Sequence, residues 1–237
     1  MIKRILGVLC VAAMVLSLGA CTMPWVKENP EQAESVSSND VSANSMADVR
    51  GYYEGNAYKN KYFNFKLIPA RDYYFPDAEL VGKAEARGQE IINGAKESVS
   101  EETAEILNSG ESGRFNICSV TDGNTLNLIH IGVFPAYGLT EEGLGLYMAY
   151  LSVMIDEIFT ADGRLDCVSE CSATIFRGEV APCICTHNLR VAPDGGMIDV
   201  YQKNVFIIKE EYVAQITVTA YFSDITDKLL DMISYLY

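Results

Sequence analysis

The sequence predicts an α+β domain in which an antiparallel β-sheet is flanked by helices, an α/β/α sandwich in the order ββ-α-ββ-α-ββββ-α. Three observations carry this. Stretches 80–95 and 144–158 repeat apolar residues every three or four positions, the helical period. Residues 115–134 and 165–222 are rich in β-branched and aromatic side chains. The connections between those strands are short, which implies antiparallel neighbours. Helices and a sheet that are each apolar on one side bury those sides by stacking in layers.

Residues 62–68 alternate, with Phe63, Phe65 and Leu67 facing one way and Asn64 and Lys66 the other, and Pro69 ends this strand. A helix follows Pro76 and Asp77, with Leu80, Ala84, Gly88, Ile91 and Ala95 on one stripe. Strands 115–120 and 125–134 flank Asp122-Gly123-Asn124, a hairpin turn. Thr140 caps the next helix, whose stripe is Leu144, Tyr147, Leu151, Ile155 and Ile158, with Glu141 and Glu142 complementing its dipole. Ala161-Asp162-Gly163 closes it. Four strands follow at 165–175, 179–191, 197–208 and 212–222, with Pro193-Asp194-Gly195-Gly196 as a turn. A last helix starts at Ser223 or Asp224 and presents Leu229, Leu230, Ile233 and Leu236.

Ahead of this domain the chain opens with Lys3 and Arg4, runs apolar from Ile5 to Leu16, and reaches Leu18-Gly19-Ala20-Cys21. A charged start, an apolar middle and a small-residue exit make a secretory signal, and the run is shorter than the roughly 20 residues a bilayer span needs. Leu18 to Cys21 resembles the lipobox of bacterial lipoproteins. The resemblance implies cleavage before Cys21 and acylation of its sulfur. Residues 1–20 are then a signal peptide, 21–50 a lipid-anchored disordered tether rich in Ser, Asn, Glu, Ala and Gln, and 51–237 the domain. A flexible tether of this length reaches roughly 30 Å. Trp25 is either a headgroup anchor or a linker residue. The expected location is extracytoplasmic, at the cell surface in a Gram-positive host.

Cleavage removes Lys3 and Arg4 and no acidic residue, so the formal charge deepens from −14 to −16. Such an excess repels phosphate backbones and anionic headgroups, which excludes nucleic acid as a partner and holds the domain off the bilayer.

Residues Tyr58-Lys59-Asn60-Lys61-Tyr62-Phe63-Asn64-Phe65-Lys66-Leu67-Ile68-Pro69 resemble the opening of the PsbP-like group, with its tyrosine, asparagine, aromatic pair, alternating strand and proline. Where bacterial members often continue with glycine and tryptophan, this chain has Arg71-Asp72-Tyr73. The resemblance implies an α/β/α sandwich over 51–237 and an accessory or assembly role. The group shares no catalytic residue set, so it implies no active site.

Five cysteines lie in the domain: Cys118, Cys167, Cys171, Cys183 and Cys185. Cys167 and Cys171 share a strand face, as do Cys183, Cys185 and His187. A hairpin turning on Phe176-Arg177-Gly178 sets Cys171 opposite Cys183 and Cys167 opposite His187. A two-residue turn on Arg177-Gly178 sets those partners on opposite faces. Three readings stay open: small buried apolar side chains, a disulfide with Cys171–Cys183 as the candidate pair, and a zinc site with His187, whose spacing lacks the usual knuckle. His130, on one face with Leu126 and Leu128, reads as a satisfied sheet histidine or as a base. Tyr52, Tyr53, Tyr58, Tyr62, Tyr73 and Tyr74 either cover one side of a sheet or stack on a ligand.

No calcium loop, phosphate-binding glycine loop, zinc-protease motif or nucleophile elbow is present. The sequence assigns no catalytic residue, metal ligand or cofactor, and Cys21 is the one residue with assigned chemistry. The expected function is a membrane-anchored, non-enzymatic binding or assembly accessory whose partner is an envelope protein or cell-wall ligand. The alternative is an envelope enzyme, a carboxylate-based hydrolase or a thiol-dependent redox protein.

Overall fold

The computed structural model describes residues 46–108, 114–122, 127–192 and 194–237. The expected signal peptide, Cys21, Trp25 and nearly all of the tether lie outside the described residues. So do Gly123, Asn124 and Leu126 at the first hairpin, and Pro193. The described chain runs α1 (Met46–Arg50), β1 (Tyr52–Glu54), β2 (Ala57–Asn60), β3 (Phe65–Leu67), β4 (Tyr73–Tyr74), α2 (Ala78–Ala95), α3 (Glu101–Asn108), β5 (Phe115–Asp122) and β6 (Leu128–Pro135). It continues with α4 (Glu141–Ala161), β7 (Leu165–Phe176), β8 (Glu179–Val191), β9 (Met197–Lys209), β10 (Tyr212–Tyr221), α5 (Thr226–Leu230) and β11 (Ile233–Tyr235).

The fold is α+β with antiparallel sheets. A seven-stranded sheet in the order β4-β5-β6-β10-β9-β8-β7 forms the central layer. On one face the helices α2, α3 and α4 bury Ile91, Ile106, Leu151 and Ile155 against Phe134, Ile184, Phe206 and Val213. The opposite layer is not made of helices alone. It is a second sheet, β1-β2-β3-β11, joined by the short α5. Tyr58, Phe63, Phe65, Leu67, Leu229 and Ile233 there meet Val120, Ile131, Val205, Ile216 and Val218 of the large sheet.

Helix α4 begins as expected. The Thr140 hydroxyl accepts from the Gly143 N–H at 3.3 Å, and every residue of its expected stripe is buried. By length and composition α4 could cross a membrane, but its apolar side is spent on the core, as in the central helix of a globular domain. Helix α3 is an element the sequence reading lacks; only Thr103, Ile106 and Leu107 of it are buried, too few for a clear period.

Three expectations change. First, residues 62–68 are not one strand. Asn60 is fully buried, donates from Nδ2 to the Val49 carbonyl at 2.9 Å and accepts the Phe63 N–H at 2.9 Å, which turns the chain. Asn64 completes the reversal at φ 52°, so β2 and β3 form a hairpin and only the inward set Phe63, Phe65 and Leu67 survives from the expected pattern. Second, the folded part starts before residue 51, because Val49 in α1 is fully buried in the core. Third, the last helix stops at Leu230. Residues 233–235, Ile-Ser-Tyr, instead pair with the open edge of β3, Ile233 opposite Leu67, because strand pairing satisfies backbone groups that a longer helix would leave exposed on β3.

The turn between β7 and β8 is the two-residue Arg177-Gly178, with φ 55° and 82°, closed by Phe176 opposite Glu179. Both positive φ values match the turn type that suits a twisted hairpin. The Arg177 guanidinium donates to the carbonyls of Phe63 and Asn64, each at 3.2 Å, and lies 4.3 Å from the centre of the Tyr235 ring. It pins the hairpin tip to the small sheet.

Candidate functional site

The two-residue turn decides the fate of the cysteines. It sets Cys171 opposite Ile184 and Cys183 opposite Ser172, so their sulfurs point to opposite faces of the sheet. The Cys171–Cys183 disulfide is therefore not formed, and all five described cysteines are free thiols. Cys171 is exposed on the face of Ile184. Cys118 is buried in the core between the sheets, where burial pushes its thiol up, the behaviour of a small apolar side chain. Cys167 packs at the edge of the α4 core and is likewise raised by burial.

Cys183 and Cys185 differ. They lie two residues apart on β8 with their sulfurs 3.6 Å from each other. Cys183 is fully buried against Val205, and Cys185 is half-buried. Register carries the same face outward along two columns: Cys185 opposite Lys203, His187 opposite Tyr201 and Leu189 opposite Asp199. The small sheet and α5 cover the Cys183 end of these columns. Beyond it, side chains of Cys185, His187, Lys203, Tyr201 and Asp199 form a polar surface open to solvent.

The charges there are organised. Lys203 donates from Nζ to Asp227 of α5 at 2.6 Å, and the Thr174 hydroxyl donates to the same oxygen at 2.8 Å. The hydrogen bond from Lys203 holds the Asp227 carboxyl below its usual range against a smaller opposing effect of burial. Burial works against the Lys203 ammonium, but the hydrogen bond and charge of Asp227 outweigh it and raise its pKa. His187 Nε2 meets Asp199 Oδ1 at 2.9 Å, and its ring stacks on Tyr201 with centroids 4.7 Å apart. The imidazole is thus turned to a carboxylate and not to the thiols. Among the described residues no three His, Cys, Asp or Glu side chains converge as metal ligands.

The thiol pair is asymmetric. The contact with the Cys183 sulfur lowers the pKa of Cys185, against burial and with help from the Lys203 charge and the Ser172 hydroxyl. The same contact, then burial, raises Cys183. At this site the more acidic thiol is the more exposed one.

His130 sits on the other face. Cross-strand register brings it Ser119, whose hydroxyl lies 2.9 Å from Nδ1, while Nε2 lies 2.8 Å from Asn116 Oδ1. An accepting amide oxygen at Nε2 fixes the proton there, so Nδ1 accepts from Ser119. Serine, histidine and asparagine thus line up in the order of a nucleophile, a base and an orienting group. Burial, and secondarily the Arg114 charge, lower the histidine to about 3, far from the poise of a general base. This trio reads as an interior hydrogen-bond chain. Sequence inspection missed it because Ser119 and Asn116 meet His130 only across the β5–β6 ladder, with a register shift between Asn116 and Cys118.

The tyrosines divide. Tyr58 and Tyr62 are buried, and Tyr53 sets its ring edge-on to Tyr58 and Phe75 at 5.2 and 5.0 Å, as sheet-covering residues do. Tyr52, Tyr53 and Tyr74 are exposed at the rim.

No protein-family model matches the chain, and no curated protein matches it. Among solved structures it is similar to LpqN of Mycobacterium tuberculosis, described as involved in cell envelope biogenesis. The TM-score is 0.36 and the identity 13%, covering 72% of this chain and 82% of that one.

Proposed function

We propose that the chain is a lipoprotein held outside a membrane through acylated Cys21, and that its domain is a non-enzymatic accessory receiving an extended segment of another envelope protein along β7. The observation that carries this is the outer edge of β7. Among the described residues no strand pairs with β7 beyond β8. The pair Phe176–Glu179 closes the two-residue turn and is hydrogen-bonded in such hairpins. Counting back from it in an antiparallel ladder, Cys171, Ala173 and Ile175 direct their N–H and C=O groups away from β8. The outward N–H of Ser169 is met by Asp156 at 3.2 Å. Val168, Ile175 and Val180 are exposed along the same hairpin; Asp166, Glu170 and the bulge between Leu165 and Val168 guard the first part of β7, whereas residues 171–176 contain no charge and no proline, the usual guards of an edge. An edge of this kind takes up a strand through main-chain hydrogen bonds.

The test is capture of partners by the full lipoprotein from detergent-treated membranes, with wild type and Ala173→Pro compared. Proline at an outward N–H removes a docking donor without breaking the ladder to β8. A partner held by wild type and reduced at least about tenfold by the variant, at unchanged thermal midpoint, supports the reading. Equal capture by both overturns the β7 docking mode. Turnover of cell-wall or glycan fragments by the purified protein overturns the non-enzymatic one.

A further inference from the structure

We infer that Cys183 and Cys185 form a redox-active dithiol, with Cys185 as the attacking thiol and Cys183 as the resolving one, that exchanges with disulfides able to reach the open end of the β8–β9 surface. This goes beyond strand docking at β7. It uses the opposite face of the sheet from Cys171, neither proposal requires the other, and the exchange is a single stoichiometric reaction of the dithiol, not turnover of a substrate.

Geometry carries the inference. The two sulfurs are already 3.6 Å apart, so forming a bond between them requires them to close by under 2 Å to the roughly 2.05 Å of a disulfide. Residues two apart on a strand have Cα atoms about 6.6 to 6.8 Å apart, at the upper end of what a disulfide spans. The pleat must tighten slightly, and a disulfide under such tension is readily reduced again, which suits exchange better than a permanent staple. Access is one-sided. Cys183 is fully buried and Cys185 half-buried, so an incoming disulfide reaches Cys185 first. Lys203, directly across the ladder, places positive charge beside that sulfur, and Ser172, opposite Cys183, supplies a hydroxyl. Both stabilise a thiolate, the form that attacks.

The exchange balances. The Cys185 thiolate attacks one sulfur of an external disulfide, a Cys185–S–S–R bond forms, and RS⁻ leaves. The Cys183 sulfur then attacks Cys185, its proton passes to the departing thiolate, and a second RSH is released. The protein loses two thiols and gains the Cys183–Cys185 disulfide, while one disulfide becomes two thiols.

The probe is oxidised glutathione added to the full chain in detergent, followed by alkylation, trypsin and mass spectrometry of the 178–190 peptide, which contains only these two cysteines. The wild-type peptide is expected to lose both alkylation sites and carry an internal disulfide. Cys183→Ser is expected to stop at a glutathione adduct on Cys185, and Cys185→Ser to leave Cys183 unmodified. Cys171→Ser should behave as wild type. The inference is overturned if the wild-type peptide stays fully alkylated. It also fails if the wild type accumulates the Cys185 adduct as stably as Cys183→Ser does, because Cys183 then does not resolve it. A near-ultraviolet circular dichroism spectrum of each variant guards against misfolding at the buried Cys183. If that variant fails to fold, wild type against Cys185→Ser still decides, since loss of both alkylation sites must depend on Cys185.

Discussion

His130 and His187 lie on opposite faces of the same sheet and receive opposite treatment. His130 stands in a cross-strand row, Ser119 to His130 to Thr217 to Asn204, that spans β5, β6, β10 and β9 on the face of the long helices. It is 3% exposed and bonded at both nitrogens. Thr217 and Asn204 beside it are fully buried, with the threonine hydroxyl donating to Asn204 Oδ1 at 2.7 Å. His187 is 40% exposed and shares its face with Cys185 and Lys203. Hydrogen bonds offset the cost of burying polar groups and rigidify them; Asn204 Oδ1 accepts from both Thr217 and Gln215, while its Nδ2 stays without a partner. Half-open polar groups keep the freedom to react or to bind. One face therefore spends its polar residues on specificity of the fold, and the other keeps them available at its β8–β9 end.

That contrast breaks most visibly at Arg164. Its side chain is 1% exposed, held by Asp162 at 3.3 Å and by Asn188 Oδ1 at 2.9 Å on the helix-side face. Burial lowers its pKa but leaves it a cation. Asp162→Ala removes the one carboxylate that contacts Arg164 among the described residues and leaves a buried guanidinium without it, so chemical denaturation should show a loss of about 3 kcal/mol. A loss under about 1 kcal/mol would mean that water reaches Arg164 and that the two faces are less different than they look.

Acid sharpens the contrast from the His130 side. In the folded protein this imidazole stays neutral down to about 3, whereas in the unfolded chain it takes a proton near 6.5. Stability from the neutral histidine is complete above pH 6.5 and is lost as pH falls toward 3. Unfolding inside that window takes up one extra proton, which lowers stability by about 1.4 kcal/mol for each pH unit. His130→Gln, which can keep hydrogen bonds to Ser119 and Asn116, should show a shallower fall between pH 6 and 4 in parallel urea titrations. Arg114 nearby and Glu85, bonded to Asn116, are common to both proteins. Equal slopes would place the His130 proton in the folded state.

How far these features were legible in the sequence follows from what sets each of them. Strands β7 to β10 and helix α4 have long apolar periods and clear turn or cap residues, and they fall within a residue or two of expectation. The β2–β3 hairpin was hidden because Asn60 and Asn64 act through side-chain bonds and a left-handed backbone, not through a glycine signal. The strand β11 was hidden because Leu229, Leu230 and Ile233 fit a helix and a turn-plus-strand equally well. At the candidate site, Cys183, Cys185 and His187 were visible as one face of a strand. Their partners Lys203, Tyr201 and Asp199 were not, because a ladder's register depends on the intervening turn. For the same reason Cys171 looked able to reach Cys183: the choice between two and three turn residues at Arg177-Gly178 moves every side chain of β7 to the other face.

The smallest expected effect tests the open face. His187 and Asp199 are 40% and 43% exposed in their side chains, and their contact can be an ion pair only when the histidine is protonated. Exposed pairs contribute little, and a surface substitution away from special backbone or buried groups usually stays within about 0.5 kcal/mol. His187→Ala also removes the stacking on Tyr201, an exposed contact of modest worth. Urea midpoints of wild type and His187→Ala at pH 7.5 should therefore nearly coincide, in contrast to Asp162→Ala under the same conditions. A loss above about 1.5 kcal/mol would show that the His187–Tyr201 stack closes the β8–β9 surface as part of the core. Cys185 would then be less reachable by external disulfides, and the division of labour between the faces would have to be redrawn at β8.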